Sequence, residues 1–360
     1  MEILKATMEA FDFAWNLQFL RMAVMWPLSL MFLYMKLFLE AFFFRNSIYY
    51  SRCSLKDSAL QASSVSRPVC VITGATSGLG AAAAYALSQE GFYVVLVGRS
   101  FRKLSESMSS IRERNRDACL KAFEVDLSSF KSIAKFKNSL EQWLVDSNLH
   151  PSIQILINNA GIIATSRRIT PEGYDQMLAT NYIGAFFLTK LLLPLLENSP
   201  SRPRVVNVTS FTHWNVCCAN ADTETVTGMS FMDSRVYPYA QIYEFSKLCL
   251  LASSYELHRQ VKSRHLSVVA VDPGTVKTDL LREVPSAVSS FAFAMLKLFR
   301  LLHSPETGVI AILNAALAPP EVSGVYFFGG DGRTLKSSPM SYDTKFGGEL
   351  WRTSCDLMAD

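Results

Sequence analysis

Val69-Cys70-Val71-Ile72-Thr73-Gly74-Ala75-Thr76-Ser77-Gly78-Leu79-Gly80 is the stretch from which the fold of this chain is read. Its first five residues form a short, continuously apolar run. Such a run belongs to a strand buried on both faces, as in a parallel sheet. An Ala-rich helical stretch follows the glycines. A glycine-rich turn between a first strand and a helix N-terminus presents backbone N–H groups and the helix dipole to a pyrophosphate. Side chains in the turn would hold the phosphates away. Gly74, Gly78 and Gly80 stand in a G-x-x-x-G-x-G spacing rather than G-x-G-x-x-G. Chance would supply this spacing only about 0.04 times in a chain of this glycine content.

Downstream, apolar β-rich runs recur at 93–97, 121–125, 153–157, 204–208, 267–271 and 325–328, with helical stretches between them. Short apolar strands alternating with helices predict an α/β fold. The expectation is one Rossmann-type, doubly wound parallel sheet of about seven strands. The second strand ends in Gly98-Arg99-Ser100. An acidic residue at this point binds the ribose 2′-hydroxyl of NAD, whereas an Arg accommodates the 2′-phosphate of NADP. Gly98 fills the acidic slot and Arg99 follows, with Arg102 and Lys103 close by, so NADP(H) is favoured over NAD. Asp126, after the third strand, either accepts from the adenine amino group or caps the next helix.

Tyr243-Glu244-Phe245-Ser246-Lys247 sets a phenol and an ammonium four residues apart, on one face of a helix. A nearby ammonium favours the phenolate, lowering the tyrosine pKa and making it a usable acid/base. The pair alone is weak, since about 0.5 such pairs are expected by chance. Its weight comes from order. One strand ends upstream at Thr209-Ser210 and another downstream at Asp272-Pro273-Gly274. Ligands in open α/β sheets bind beyond the carboxyl ends of strands, so Ser210 points at the same crevice. Its hydroxyl could hold a substrate oxygen while Tyr243 gives it a proton.

With the glycine loop, Asn158-Asn159-Ala160-Gly161, Asn181, Ser210, Tyr243-x-x-x-Lys247 and Pro273-Gly274 in this order, residues 68 to about 330 resemble the short-chain dehydrogenase/reductase family. The resemblance implies a catalytic tetrad of Asn181, Ser210, Tyr243 and Lys247. It also implies that Lys247 binds the nicotinamide ribose and that Asn181 holds a water in the proton relay. Gly74, Thr76, Ser77, Gly78, Leu79, Gly80, Asn159, Ala160, Gly161, Pro273 and Gly274 would contact the cofactor, and Thr278 would lie near the nicotinamide carboxamide. The long stretch from Ser210 to Tyr243, Tyr237-Pro238-Tyr239, and Leu350-Trp351-Arg352-Thr353-Ser354-Cys355 resemble the retinol-dehydrogenase-like branch. That branch uses mostly NADP(H) and lipophilic alcohols, aldehydes or ketones, often from a membrane surface. One departure is Ser77, where many NADP enzymes carry a basic residue, so the cofactor choice rests on Arg99. By the same resemblance, residues 284–303, rich in Phe and Leu, cover the substrate. An ordinary core-packing helix is the other reading of that segment.

Residues 1–45 are dense in Phe, Leu, Met and Trp. The longest uncharged run, from Met22 to Met35, is 14 residues, short of the roughly 20 that span a bilayer. Extension to Phe44 includes Lys36 and Glu40. The apolar residues of that window contribute about −3 to −7 kcal/mol to insertion, against about +2.5 to +3.5 for each central charge. A marginal transmembrane helix, an in-plane amphipathic anchor and an ordinary buried N-terminal helix are all open, and a single span is the expectation. Glu2, Glu9 and Asp12 argue against a signal or transit peptide. Basic residues are commoner after the apolar run than before it, which leaves the body of the protein cytosolic, on the endoplasmic reticulum. The domain organisation expected is an anchor (1–45), a Ser-rich linker (46–67), a catalytic domain (68–335) and a C-terminal extension (336–360).

The net charge of +4 and the absence of a basic stripe argue against a nucleic-acid partner. The seven cysteines lack C-x-x-C spacing and the five histidines form no i,i+4 pair, which argues against a disulfide framework and a metal site. Adjacent Cys217 and Cys218 read as small loop residues. The function expected is NADP(H)-dependent interconversion of a lipophilic alcohol and its carbonyl, with membrane lipid and a lipophilic small molecule as partners. Oligomeric state is not legible. The competing readings are a non-catalytic nucleotide-binding regulator or scaffold on the same fold, and a dehydratase or epimerase on a related extended fold. The intact tetrad opposes the first. The short glycine spacing and the absence of a large C-terminal domain oppose the second.

Overall fold

A computed structural model of the chain describes residues 16–40, 42, 48–53, 67–261 and 265–358. In chain order, the elements that position the site begin with helix α1 (Leu17–Leu39), strand β1 (Val69–Thr73), α2 (Gly78–Gln89) and β2 (Tyr93–Gly98). Next come α3 (Phe101–Arg114), β3 (Cys119–Glu124), α4 (Phe130–Asp146), β4 (Ile155–Asn158) and α5 (Gly184–Glu197). Then follow β5 (Arg204–Val208), α6 (Tyr239–Val261), β6 (Ser267–Asp272), β7 (Thr275–Val276), α7 (Ser286–Leu298) and β8 (Leu302–His303). The chain closes with α8 (Pro305–Ala316), β9 (Val325–Phe328), β10 (Thr334–Leu335) and α9 (Thr344–Asp356).

The main sheet runs β3-β2-β1-β4-β5-β6-β9-β10 and is parallel except for β10. It has eight strands where about seven were expected. The extra strand is two residues long and antiparallel to β9. A pair of residues carries no periodicity, so no pattern reveals it. Every residue of β1 is buried, and its side chains alternate between two cores. Val69 and Val71 pack with α4, α5, α6 and α9, while Cys70 and Ile72 pack with α2, α3 and α8. Strand order reverses at β1, which pairs with β2 on one side and β4 on the other. A crevice therefore opens beyond the carboxyl ends of β1 and β4, where ligands of such sheets bind.

β7 and β8 pair in a separate small sheet. That pairing ties together the two ends of the segment carrying α7, so α7 is an excursion anchored at its base. Only Val288 of α7 is buried, which sets aside the reading of an ordinary core helix. The C-terminal segment packs into the domain: the Trp351 ring lies 4.9 Å from Phe186, and the Tyr182 and Ser354 hydroxyls are 2.6 Å apart. Most of the expected linker lies outside the described residues, but Tyr50 N–H donates to the Gly332 carbonyl and Cys53 N–H to that of Leu317.

α1 is 23 residues long and apolar enough to cross a membrane. It lies along the domain instead. Leu30 and Leu33 are fully buried, worth about 1.5–3 kcal/mol each. Arg21 forms a 2.7 Å ion pair with the fully buried Glu244. Removing one partner of such a pair costs about 3–5 kcal/mol, because the other charge is left buried and unmatched. These contacts hold one face of the helix against the protein. The outward face is equally apolar, with Leu17, Leu28, Met31 and Phe38 exposed. Residues 1–15 of the expected anchor lie outside the described residues.

Candidate active site

The glycine turn has the backbone a pyrophosphate needs. Gly74 sits at φ +68°, and a Cβ at Gly80 would stand 2.2 Å from the Gly74 carbonyl oxygen. Only glycine allows the left-handed turn at the first position and the close crossing at the second. The Thr73 hydroxyl accepts from the backbone N–H of Asn159 and of Ala160, each at 3.0 Å, and Asn159 Nδ2 donates to the Thr73 carbonyl at 2.9 Å. The end of β1 is thus laced to the end of β4. Ser77, before α2, makes no side-chain capping bond, so the first-turn N–H groups point to the crevice uncapped by side chain. The Thr278 methyl lies against Gly78.

These residues border a cavity of about 750 Å³ that also takes in Arg99, Ser100 and Lys103 at the exit of β2. Arg99 is exposed, whereas Arg102 is committed to Glu106 at 2.5 Å. The glycine cradle and the helix N-terminus fit a dinucleotide. Asp126 is turned elsewhere. Its Oδ1 accepts from the Ser128 N–H and hydroxyl at 2.9 and 2.7 Å, and Val125 and Leu127 line the cavity instead. The cap of α4 is Ser129.

The four residues of the expected tetrad come from three elements, and Ser210, Tyr243 and Lys247 line the cavity whereas Asn181 lies behind it. Asn181 occupies a π-helical turn, Ala179–Ile183, ahead of α5. Its side chain is wholly buried and clamps the loop after β4, accepting from Ile162 N–H at 2.8 Å and donating to Ile162 O at 3.0 Å and Ser246 Oγ at 3.2 Å. Ser210 follows β5 in extended conformation, its hydroxyl accepts from the Thr212 N–H at 3.3 Å, and it borders the same cavity as Tyr243. Lys247 donates from Nζ to the Val208 carbonyl at 3.0 Å, and Thr209 Oγ1 donates to the Lys247 carbonyl at 3.0 Å. Gly161 faces both Lys247 and Asn181.

The electrostatics differ from the expectation in one respect. Burial, and secondarily the charge of Asp272, pushes the Tyr243 phenol well above its ordinary pKa, with only Ser210 lowering it. The ammonium does not depress the phenol, because desolvation of the phenolate outweighs it and Nζ is 5.7 Å from the ring centroid. Burial lowers Lys247 to about 8, opposed by Asp272.

Three contributors were missed by reading the sequence. Asp272, at the end of β6, is buried, accepts from Gly274 N–H at 2.7 Å and Tyr326 OH at 3.0 Å, and is raised to about 6 by burial. Glu244 accepts from Arg21, Trp26 and Asn215. Trp26 lies beside Tyr243, with ring centroids 5.5 Å apart. Lone charges inside otherwise apolar runs were the available signal, since each needs a partner somewhere. Cys217 and Cys218 are exposed. Phe291, Met295, Leu296 and Phe299 of the α7 segment add apolar lining to the cavity.

A family model described as short chain dehydrogenase matches residues 68–216. Human polyprenol dehydrogenase is 31% identical over 296 residues, covering 80% of this chain and 84% of that protein. The chain belongs to the short-chain dehydrogenase family. It is similar also to human retinol dehydrogenase 13, at 30% identity over 296 residues, covering 80% of this chain and 83% of that protein. Among solved structures, an uncharacterised protein from Mycobacterium paratuberculosis matches with a TM-score of 0.61 at 26% identity, covering 86% of this chain and 98% of that one. This short-chain dehydrogenase is accordingly an oxidoreductase on a fold that binds a nicotinamide cofactor. The resemblance read from its motifs holds.

Proposed function

We propose that this short-chain dehydrogenase is an NADP(H)-dependent, membrane-associated enzyme that interconverts a lipophilic alcohol and its aldehyde or ketone. The observation that carries the reading is the convergence of Ser210, Tyr243 and Lys247 on one cavity that the glycine loop also borders. Bound in that cavity, NADPH would supply a hydride to the carbonyl carbon. Gly74, Thr76, Ser77, Gly78, Leu79 and Gly80 would hold its pyrophosphate, and Arg99 its 2′-phosphate. Asn159, Ala160, Gly161, Pro273, Gly274 and Thr278 would frame its nicotinamide half. The Ser210 hydroxyl donates to the substrate oxygen and orients it. Tyr243 releases its proton to that oxygen as negative charge builds there. Lys247, charged below about 8, stabilises the phenolate left behind. Asn181 orders the loop at Ile162 and holds a relay water through which Tyr243 regains its proton.

A lipophilic substrate is supported by the apolar residues of α1 and α7 that border the cavity. Membrane attachment is supported by the outward face of α1 and by Phe291, Leu298 and Phe299, each more than 65% exposed. Apolar surface of that extent calls for a lipid partner. In this reading α1 lies in the plane of the endoplasmic reticulum membrane and the domain sits on its cytosolic side. Protease protection of sealed microsomes checks that side.

The decisive assay compares wild type with Tyr243→Phe on retinoid, steroid and isoprenoid carbonyls with NADPH. The expected result is turnover of at least one substrate and loss of activity by about a thousandfold or more in the variant. Equal rates in both proteins would refute the mechanism, and no turnover at all would favour a binding protein.

A further inference from the structure

α1 contributes Met22, Trp26, Pro27 and Leu30 to the cavity that holds Ser210, Tyr243 and Lys247. A helix that merely tethers a domain to a bilayer has no reason to border its active site. The contacts that hold it there begin at the residue next to the catalytic phenol. Glu244 is wholly buried. It accepts from Arg21 Nε and Nη2 at 3.1 and 2.7 Å, from Trp26 Nε1 at 2.8 Å and from Asn215 Nδ2 at 3.3 Å. A buried carboxylate is tolerated only with such a complement of donors, and two of the three donating side chains come from α1. Further along, the Ser29 hydroxyl donates to Asn215 Oδ1 at 2.6 Å, and Lys36 Nζ donates to the Lys336 carbonyl at 3.1 Å. These directional bonds run along most of the helix.

Trp26 is the residue through which this docking reaches the chemistry. Its indole N–H is bound to Glu244, which fixes the ring plane, and the ring lies against Tyr243 at 39°. Phe291, Met295 and Leu296 of α7 line the same cavity. A substrate carbon skeleton that brings its oxygen to Ser210 and Tyr243 meets the Trp26 ring beside the phenol.

We propose that α1 is a fixed wall of the substrate chamber, clamped by Glu244, and that Trp26 is the specificity-determining residue that sets the chamber's width beside Tyr243. The proposal rests on the oxidoreductase reading above for its substrate class, lipophilic carbonyls and alcohols, but not for the docking itself. Wild-type α1 carries no cysteine, which makes the docking accessible to chemistry.

The test uses the full chain in phospholipid nanodiscs. Ser29→Cys with Asn215→Cys, in a background of Cys217→Ser and Cys218→Ser, should join through a short bismaleimide before any substrate is added, with the linked peptides identified by mass spectrometry. Failure to link would overturn the wall. In turnover, Trp26→Ala should change the ratio of kcat/KM for a long isoprenoid aldehyde over that for a compact cyclic ketone by about tenfold or more. NADPH affinity should stay within about twofold, since Trp26 is held by Glu244 and lies beside Tyr243 rather than against the glycine turn. Trp26→Phe should return the ratio toward wild type. An unchanged ratio in Trp26→Ala would overturn the specificity role. If no form turns over any carbonyl, retinal affinity by intrinsic-fluorescence quenching replaces the ratio. Unchanged retinal affinity in Trp26→Ala then overturns the role, and the cross-link still judges the wall apart from the catalytic reading.

Discussion

His213 Nδ1 lies 2.6 Å from the carbonyl oxygen of Ser210, which borders the same cavity as Tyr243. Its other ring nitrogen accepts from the Ser338 N–H at 3.2 Å. The two bonds require a neutral imidazole carrying its proton on Nδ1. Complete burial pushes the His213 pKa down to about 4. A histidine depressed on folding stabilises the protein fully above its unfolded pKa, and that stability is lost as pH falls toward the folded value. Lowering the pH from 7.5 to 5 should therefore remove about 2 kcal/mol through this residue alone. Urea unfolding of wild type and His213→Gln at both pH values checks it, with the variant losing less on acidification. A variant that loses more than wild type would contradict the assignment.

Asp272 and Lys247 bracket neutrality, at about 6 and about 8. The site is in working form when Asp272 is ionised, holding Gly274 and balancing Lys247, and when Lys247 is charged. A profile of kcat/KM for NADPH should therefore fall below about 6 and above about 8. Asp272→Asn should abolish the acid limb. It should also move the basic limb to lower pH, because the carboxylate raises the lysine. Basic-limb movement to higher pH would show that the carboxylate is not the group facing the lysine.

Arg99 is exposed at the cavity border, and Arg102 is paired with Glu106. Arg99→Ala should weaken NADPH by about 10–100-fold, the value of a charged hydrogen bond, and leave NADH within about twofold. Fluorescence titration of the two cofactors gives both numbers. Equal weakening of NADH would transfer the selectivity to Lys103 or elsewhere.

Gly80→Ala makes a contrasting case. The added methyl would come within 2.2 Å of the Gly74 carbonyl, which the turn can relieve only by opening. Both cofactors should weaken together, by about tenfold or more, and overpacking should cost about 1–3 kcal/mol of stability. Selective loss of NADPH here would mean that the loop does not serve the shared pyrophosphate.

Glu244→Ala should lower unfolding stability by about 3–5 kcal/mol, because Arg21 is left without its charge partner. Arg21→Met together with Glu244→Leu should recover much of that loss, since a well-packed apolar pair can replace a buried ion pair. Denaturant unfolding of the single and double variants measures the coupling.

The local features of this protein were legible because they are set by neighbours in sequence. β1 and its glycine turn, the strand run to β9 and the four-residue spacing of Tyr243 and Lys247 follow from apolar continuity, backbone sterics and helical period. Tertiary contact decided the rest. Residues 218 and 223 apart join Trp26 and Arg21 to Glu244, and no spacing rule reaches that far. The phenol's pKa turned on burial, which is a property of the packed fold and not of the motif. The same holds for α1. Its length and composition permit a span, and they carry no information on which face is bonded to the domain. Which face of an apolar helix is bonded depends on the polar groups it meets once folded, and here they include a buried glutamate beside the cavity that Trp26 borders.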